Sequence, residues 1–409
     1  MTEGLGADPL SGPGHDAPGT GREKAGGSDG PPPGPRTGEE TGAQGGVRAA
    51  WGRPRSGALL LLLGLAAAVL LSPLIGPEPL PWKDVLSIML HQAAGGALGS
   101  ASCLPAVPLA QCHVWTEIVW DARVPAVLLA AVVGASLGVS GASLQGVFRN
   151  PLADPYLLGL SSGAALGAAA AFALTVSPGS SLNPATRSLL LPVAAFAGGL
   201  VPGTVVLLAS LSGRVGAGSL IMVGIALNAL FSAIISAVLL YNQNITIQVT
   251  FWLWGGLSYA TWTNDALVLS VLMVAGMLLA LHGRPLNLLQ LGEDVASSLG
   301  TDARKVMRRV VLLSTILTAA AVAFVGIIGF VGLIAPHVVR RVVGVDYRRV
   351  LPLSMATGAG FLIISWDAAQ IIIPTVVLPV GILTGFVGSA FFLYVLFRRW
   401  LPRGSGSSR

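Results

Sequence analysis

The chain has 409 residues, of which 53% are hydrophobic and only 10% charged, where a soluble domain carries about a quarter charged residues. That balance excludes an ordinary soluble enzyme. The net charge of +6 does not signal nucleic-acid binding either, because the basic residues sit at the ends of apolar segments instead of forming one patch.

Residues 1–56 are dominated by Gly and Pro, include Pro31, Pro32, Pro33, Glu39 and Glu40, and hold no apolar run long enough to bury. They read as a disordered tail, either a solvated tether or a segment of unreadable role. A signal peptide would place its apolar core directly after a charged start. Here the first apolar run begins only near Gly57, so it reads as a retained helix.

Spans of roughly 17 to 25 apolar residues cross a bilayer. By that measure helices are predicted at 57–75, 124–146, 156–176, 189–212, 217–240, 263–282, 310–327, 350–371 and 376–397. The stretch 329–345 starts as apolar as these (GFVGLIAP) but meets Pro336, His337, Arg340 and Arg341, so it reads as a short or partial helix. Counting it gives ten crossings of an all-α membrane domain over 57–400, a short tail at 401–409, and both termini on one side. With the amino terminus inside, only Lys83, Arg123 and Arg187 of the 24 basic residues face outward. Omitting the short helix would move the basic loop 283–309 or the carboxyl terminus outside, against the positive-inside rule.

The outer loop 76–122 holds both cysteines, Cys103 and Cys112. Outside the membrane they either form a disulfide or remain thiols, and His113 beside Cys112 is too little for a metal site. Trp115 and Trp120, and then Tyr241, Trp252, Trp254, Tyr259 and Trp262, form interfacial aromatic belts. In the second predicted helix, Gly134, Gly138, Gly141 and Ala142 permit close helix packing.

Between the second and third helices runs RNPLADPYLLGLSSGA, 149–164. Irregular backbone near a bilayer is tolerated where protein buries it or where it lines a watery path. Arg149, Asn150, Pro151 and Pro155 therefore read as a turn at the inner mouth of a path.

The search for chemistry is mostly negative. The sequence has no phosphate-binding loop G-x-x-x-x-G-K-[ST], no zinc-spaced Cys/His cluster and no G-x-S-x-G turn. Asp367 is the one carboxylate well inside an apolar run, and Asp154 lies at a segment end. Ion-coupled transport generally needs more than that, so the driving energy is expected from outside the chain. Interhelical hydrogen bonding explains Gln145, Asn228 and Ser143 as well as a pathway role does. The inner loop 283–309 carries an amphipathic segment, Leu291 to Leu299, between Gly292 and Gly300. It suits either docking to a soluble partner or resting on lipid headgroups.

The run RVPAVLLAAVVGASLGVSGASLQGVFRNPLADPYLLGLSSGA (123–164) resembles the FecCD family of iron-siderophore and vitamin B12 permeases, the membrane subunits of type II ABC importers. GIIGFVGLIAPHVVRRVVGVDYRRVLPLS (326–354), LGEDVASSLG and LPVGILTGFVGSAFFLYVLFRR (378–399) resemble it in the same order. The resemblance spans roughly Ser56 to Arg399. It implies a ten-helix permease in a bacterial cytoplasmic membrane, both termini cytoplasmic, paired with a second permease subunit around a central path. It also implies a chain that is not itself an enzyme and binds no cofactor or nucleic acid. ATP is used by two partner ATPases docked on Gly292, Glu293, Ala296, Leu299 and Gly300. An external binding protein would deliver a ferric siderophore, with cobalamin or haem as alternative cargo, and dock near Arg123. The chain departs from the family pattern at Ala126, Gln370, Ile371 and Val377, where charged residues are usual. Its outer face is expected to be less charged than most.

Overall fold

The computed structural model describes residues 54–95, 103, 107–176, 183–211, 217–258, 260–373 and 376–400. The tails at 1–53 and 401–409, with Arg214 and Tyr259, lie outside the described residues. Those residues form helices and no strand. In chain order they are α1 (Pro54–Leu71), α2 (Trp82–Ala93), α3 (Leu109–Val147), α4 (Leu160–Val176), α5 (Pro184–Leu211), α6 (Ala217–Tyr241), α7 (Thr246–Leu253) and α8 (Trp262–Ala280). The set continues with α9 (Gly283–Leu289), α10 (Glu293–Ser298), α11 (Ala303–Val325), α12 (Val331–Val343), α13 (Tyr347–Ile371) and α14 (Val380–Trp400). Among the described residues, 8 helices are long and apolar enough to cross a membrane. Helix α4, with 17 residues, and α12, with 13, are shorter.

Helix α3 is the central element. In its most apolar stretch 89% of the residues are buried, against 11% in α1 and in α6, so α3 is wrapped by protein while those two present their sides outward. Its close packing against α13 and α12 follows from its glycines. A Cβ on Gly134 would strike the carbonyl of Gly358, one on Gly138 the carbonyl of Ser354, and one on Gly141 the carbonyl of Gly332. Such contact of backbone on backbone gains dispersion energy that larger residues would forbid. Helices α4 and α5 pack in the same way through Gly163 against Gly198.

Several boundaries differ from the sequence expectation, each for a local reason. Helix α3 begins at Leu109 instead of 124 and runs through a widened turn over Glu117–Arg123; its first turns carry too many polar residues for a hydropathy window. Helix α11 begins at Ala303 instead of 310 because the Asp302 carboxylate caps it, accepting from Lys305 N at 3.1 Å. Helices α2 and α7 were not expected at all. In α2, Val85 and Ile88 fall on one face and pack with Val119, Cys103 and Cys112 in a small outer core. The two cysteines are disulfide-bonded, with Cα atoms 5.8 Å apart.

The helix breaks meet at one node. Gly256 N donates to Val325 O at 2.8 Å, and Gly381 N to Gly255 O at 3.4 Å. Gly255 and Gly326 take positive φ there, 66° and 72°, a region in which glycine alone is unstrained.

Substituting Gly138 by Leu is expected to destabilise the protein by about 3 kcal/mol or to abolish folding, since backbone cannot move aside. Gly64→Leu, at a position open to its surroundings, should change stability by less than about 0.5 kcal/mol. Thermal unfolding of both variants in detergent, followed by circular dichroism, checks the pair.

Candidate functional site

The turn expected at the inner mouth is built by a helix ending. At the end of α3, Asn150 N bonds to Gln145 O (3.2 Å) and Arg149 N to Gly146 O (3.4 Å), the paired bonds of a left-handed helix cap. That position normally takes glycine, yet here Arg149 occupies it with φ 50°, at a cost of about 1–2 kcal/mol. Its side chain reaches across to Glu293, with Nη2 to Oε1 at 2.9 Å. Asn150 then turns the chain by accepting from Leu152 N at 2.9 Å. Pro151 is exposed, whereas Pro155 is buried and starts the short 155–158 turn.

The Asp154 carboxylate is buried and caps that turn, accepting from Tyr156 N at 2.8 Å. Burial pushes its carboxyl up to about 6, and the Tyr156 amide offsets part of the rise. Burial likewise raises the Tyr156 hydroxyl well above its ordinary value, with the Asp154 charge adding to the rise. That hydroxyl stays protonated and donates to Ile328 O at 3.0 Å.

A chain of polar contacts ties this turn to the rest of the inner side. Gln290 Nε2 donates to Gly146 O at 2.8 Å, holding the inner loop to the end of α3. Gln145 is buried, with Nε2 donating to Gly332 O (3.1 Å) while its Oε1 accepts from Arg340 Nη1 (2.6 Å). Arg340 also bonds the Tyr347 hydroxyl and lies over that ring, 5.5 Å from its centroid. Asn287 closes the network, donating to Asp346 (2.6 Å) and accepting from Tyr347 N (2.9 Å). The bond from Asn287 holds the Asp346 carboxyl below its usual range. Gln145 thus has an interhelical role, and Gln290 and Asn287 are members that hydropathy reasoning passed over.

The inner-loop segment is split in two at Gly292, whose φ is 109°. Helix α10 ends in a cap at Gly300, with Thr301 N bonded to Ala296 O (2.8 Å) and Gly300 N to Ser297 O (2.9 Å). Val295 and Leu299 lie four residues apart on its outer side, 45% and 58% exposed, next to Leu291 at 62%. Ala296 points the other way and is fully buried. Of the expected docking set, Ala296 seats the helix in the core.

Arg123, the expected docking residue for a binding protein, has a buried side chain that donates Nη1 to Pro73 O at 3.3 Å and Nη2 to Glu78 O. A guanidinium so placed ties down the outer loop, which shelters it through Gly76. Asp367, the mid-run carboxylate, accepts from the Ser72 hydroxyl.

Two hollows flank the turn. One of about 690 Å3 is lined by Asp154, Tyr156, Ser162, Asn228, Ser232 and Ser236 among others. Asn228 is held in place by the Ser162 hydroxyl (2.7 Å) and by donating to Tyr156 O (3.0 Å). The other, about 200 Å3, lies against Asn150, Pro151, Leu152, His337 and Phe391. Among the described residues no three His, Cys, Asp or Glu side chains gather as a metal site requires.

Asp154 gives a pH signature. Its folded carboxyl titrates at about 6 against 3.8 ordinarily, so the folded state keeps a proton that the unfolded chain has released. Stability therefore falls as pH rises from about 4 to about 6, by on the order of 2 kcal/mol. Asp154→Asn keeps the acceptor for Tyr156 N and should remove that part of the slope; the difference between the two unfolding profiles over this window measures it.

Comparison with known proteins adds four findings. The sequence matches the FecCD transport family over residues 62–398. It is 36% identical over 354 residues to the cobalamin import system permease of Halobacterium salinarum, covering 81% of this chain and 93% of that one. It is 32% identical to the Fe(3+) dicitrate transport system permease of Escherichia coli, covering 83% and 98% respectively. Among solved structures it is similar to an inward-facing conformation of a metal-chelate type ABC transporter, at a TM-score of 0.67 and 27% identity, over 83% of this chain and 99% of that one.

Proposed function

Because the chain belongs to the FecCD transport family, as the permease of a metal-chelate type ABC importer and a multi-pass protein of the bacterial plasma membrane, we propose that it moves a ferric siderophore inward on energy supplied by partner ATPases. It works in that reading with a second permease subunit, two ATPases and an external binding protein. Ten crossings with both termini cytoplasmic, counting the shorter α4 and α12, keep the basic loops inside.

One observation carries the coupling assignment. Leu291, Val295 and Leu299 present an exposed apolar row that the chain's own core does not cover. The same segment is fixed to the end of α3 by Gln290 on Gly146 and by Glu293 on Arg149. An ATPase seated on that row pushes directly on the central helix and on the turn beyond it. Gly292 and Gly300 serve as the pivots at either end.

The cargo reading rests on the larger hollow. Its serine hydroxyls and the Asn228 amide offer weak hydrogen bonds to an oxygen-rich chelate, and the Asp154 carboxyl on the same wall is taken up by Tyr156 N. The similarity to a permease for iron dicitrate supports an iron chelate; cobalamin, the cargo named for the other relative, and haem are the alternatives. Ion-coupled transport is disfavoured because Asp154 and Asp367 are engaged by Tyr156 N and Ser72 rather than open to an ion.

Two measurements test the reading. A deletion strain should lose uptake of labelled ferric siderophore and keep that of cobalamin; the reverse pattern overturns the cargo. Leu299→Glu is expected to lower the ATPase recovered with the purified chain at least about tenfold, and recovery at the unaltered level would remove α10 as the docking element.

A further inference from the structure

Phe330 is the residue in this protein whose placement is hardest to explain by packing alone. It precedes α12 with φ 67° and ψ −15°, and Phe330 and Arg149 are the only non-glycine residues with positive φ among the described residues. A left-handed conformation is strained for a bulky side chain and persists only where the surroundings impose it. The turn of α12 does not require phenylalanine there, since glycine would form it without strain.

The surroundings show what the ring does. It lies flush on α14 at Gly388, where an added Cβ would strike Phe330 Cγ, Cβ and Cδ1. Phe330 and Leu333 are also the two residues that line both hollows. On one side is the hydroxyl-bearing space of about 690 Å3, and on the other the space of about 200 Å3 against Asn150, Pro151 and Leu152. The ring is thus part of the wall between the larger hollow and the inner-mouth turn.

Gly326 and Gly329 bracket residues 327 and 328, and a Cβ on Gly329 would meet nothing within 4 Å. The segment is held by Tyr156 OH to Ile328 O, by Ile328 N to Tyr156 OH and, just beyond it, by Gln145 Nε2 to Gly332 O. Both of those partners belong to the turn and helix that the inner loop grips. A displacement at α10 therefore reaches the Phe330 backbone through contacts already described.

We propose that Phe330 is the aromatic septum that separates the cargo space from the inner mouth, and that the chelate passes when the ring leaves its seat on Gly388. The strain at Phe330 makes the closed position one that is held by its contacts and released when they loosen. This rests on the permease reading given above. It adds a residue that determines passage and sets the bulk of cargo the opening admits.

Thiol accessibility tests it without knowledge of the cargo. The chain has two cysteines, bonded to each other, so Ser232→Cys puts one free thiol in the larger hollow. The full chain is labelled in its native complex, in inside-out vesicles, with a membrane-impermeant maleimide on the cytoplasmic side. With Phe330 present labelling should be slow; Phe330→Ala should speed it at least tenfold, and Phe330→Trp should not. Gly388→Ala, which takes away the ring's seat, should also speed it and serves where Phe330→Ala does not fold. Leu152→Cys at the inner mouth should react equally in every background, reporting intact folding and sidedness. Equal Ser232→Cys rates with Phe330, Phe330→Ala and Gly388→Ala, with Leu152→Cys still reactive, would overturn the proposal. Failure of the permease reading shows differently, as a purified complex without ATPase whatever the labelling pattern.

Discussion

A backbone amide that leaves its helix at membrane depth has no water to bond, and the arrangement of this protein follows from how that constraint is met. The breaks after α7 and α11 and the start of α14 are brought together, so that Gly256 and Val325, and Gly381 and Gly255, satisfy one another. Only glycine permits the approach, because a Cβ at Gly255, Gly326 or Gly381 would run into a carbonyl. Once these breaks are joined, α12 must begin against the last turns of α3, at Gly141. The loop before it must then lie beside the larger hollow. The position of the hollow and of its aromatic wall is a consequence of pairing orphaned backbone groups.

The polar network on the inner side mixes contacts of unequal strength, and the inequality fits a moving part. The Arg149–Glu293 pair is solvent-exposed, with its side chains 42% and 61% accessible; such pairs contribute less than about 1 kcal/mol. It can form and break within a transport cycle. Gln145 is buried with both ends of its amide engaged, and losing one partner would leave a desolvated polar group, costing about 1–3 kcal/mol. The strong contacts hold α3, α12 and α13 together, while the weak one lies at the surface where an external partner would push. The strained cap at Arg149 belongs to the weak side. Glycine would relieve it but would lose the reach to Glu293.

Much of the fold was legible from hydropathy and charge, because long apolar runs and the sidedness of lysine and arginine are one-dimensional signals. The short helix at 329–345 was retained on charge sidedness, and Val331–Val343 is helical. What escaped were elements whose stabilisation is not in their own composition. Helix α2 is held by Val85 and Ile88 against a disulfide-bonded loop. The first turns of α3 are polar and aromatic, and the start of α11 is a charged run stabilised by a capping carboxylate. At the site, the turn at Arg149 and the glycine-bounded loop were visible as breaks in the pattern. The directions of Ala296 and Arg123 were not, because a family pattern gives the position of a residue along the chain and not the side of a short helix it occupies.

The sequence by itself determined that this chain is an all-helical membrane protein with its basic residues at the ends of apolar runs and without a G-x-x-x-x-G-K-[ST] loop. Residue type and spacing along the chain are sufficient to set partition into lipid. Only the tertiary structure decided which breaks pair with which, that Gln290 grips the end of α3, and that Phe330 stands between two hollows. Those facts depend on distances between residues far apart in the chain, such as Phe330 against Gly388 or Gln145 against Arg340, and such distances exist only once the helices have packed.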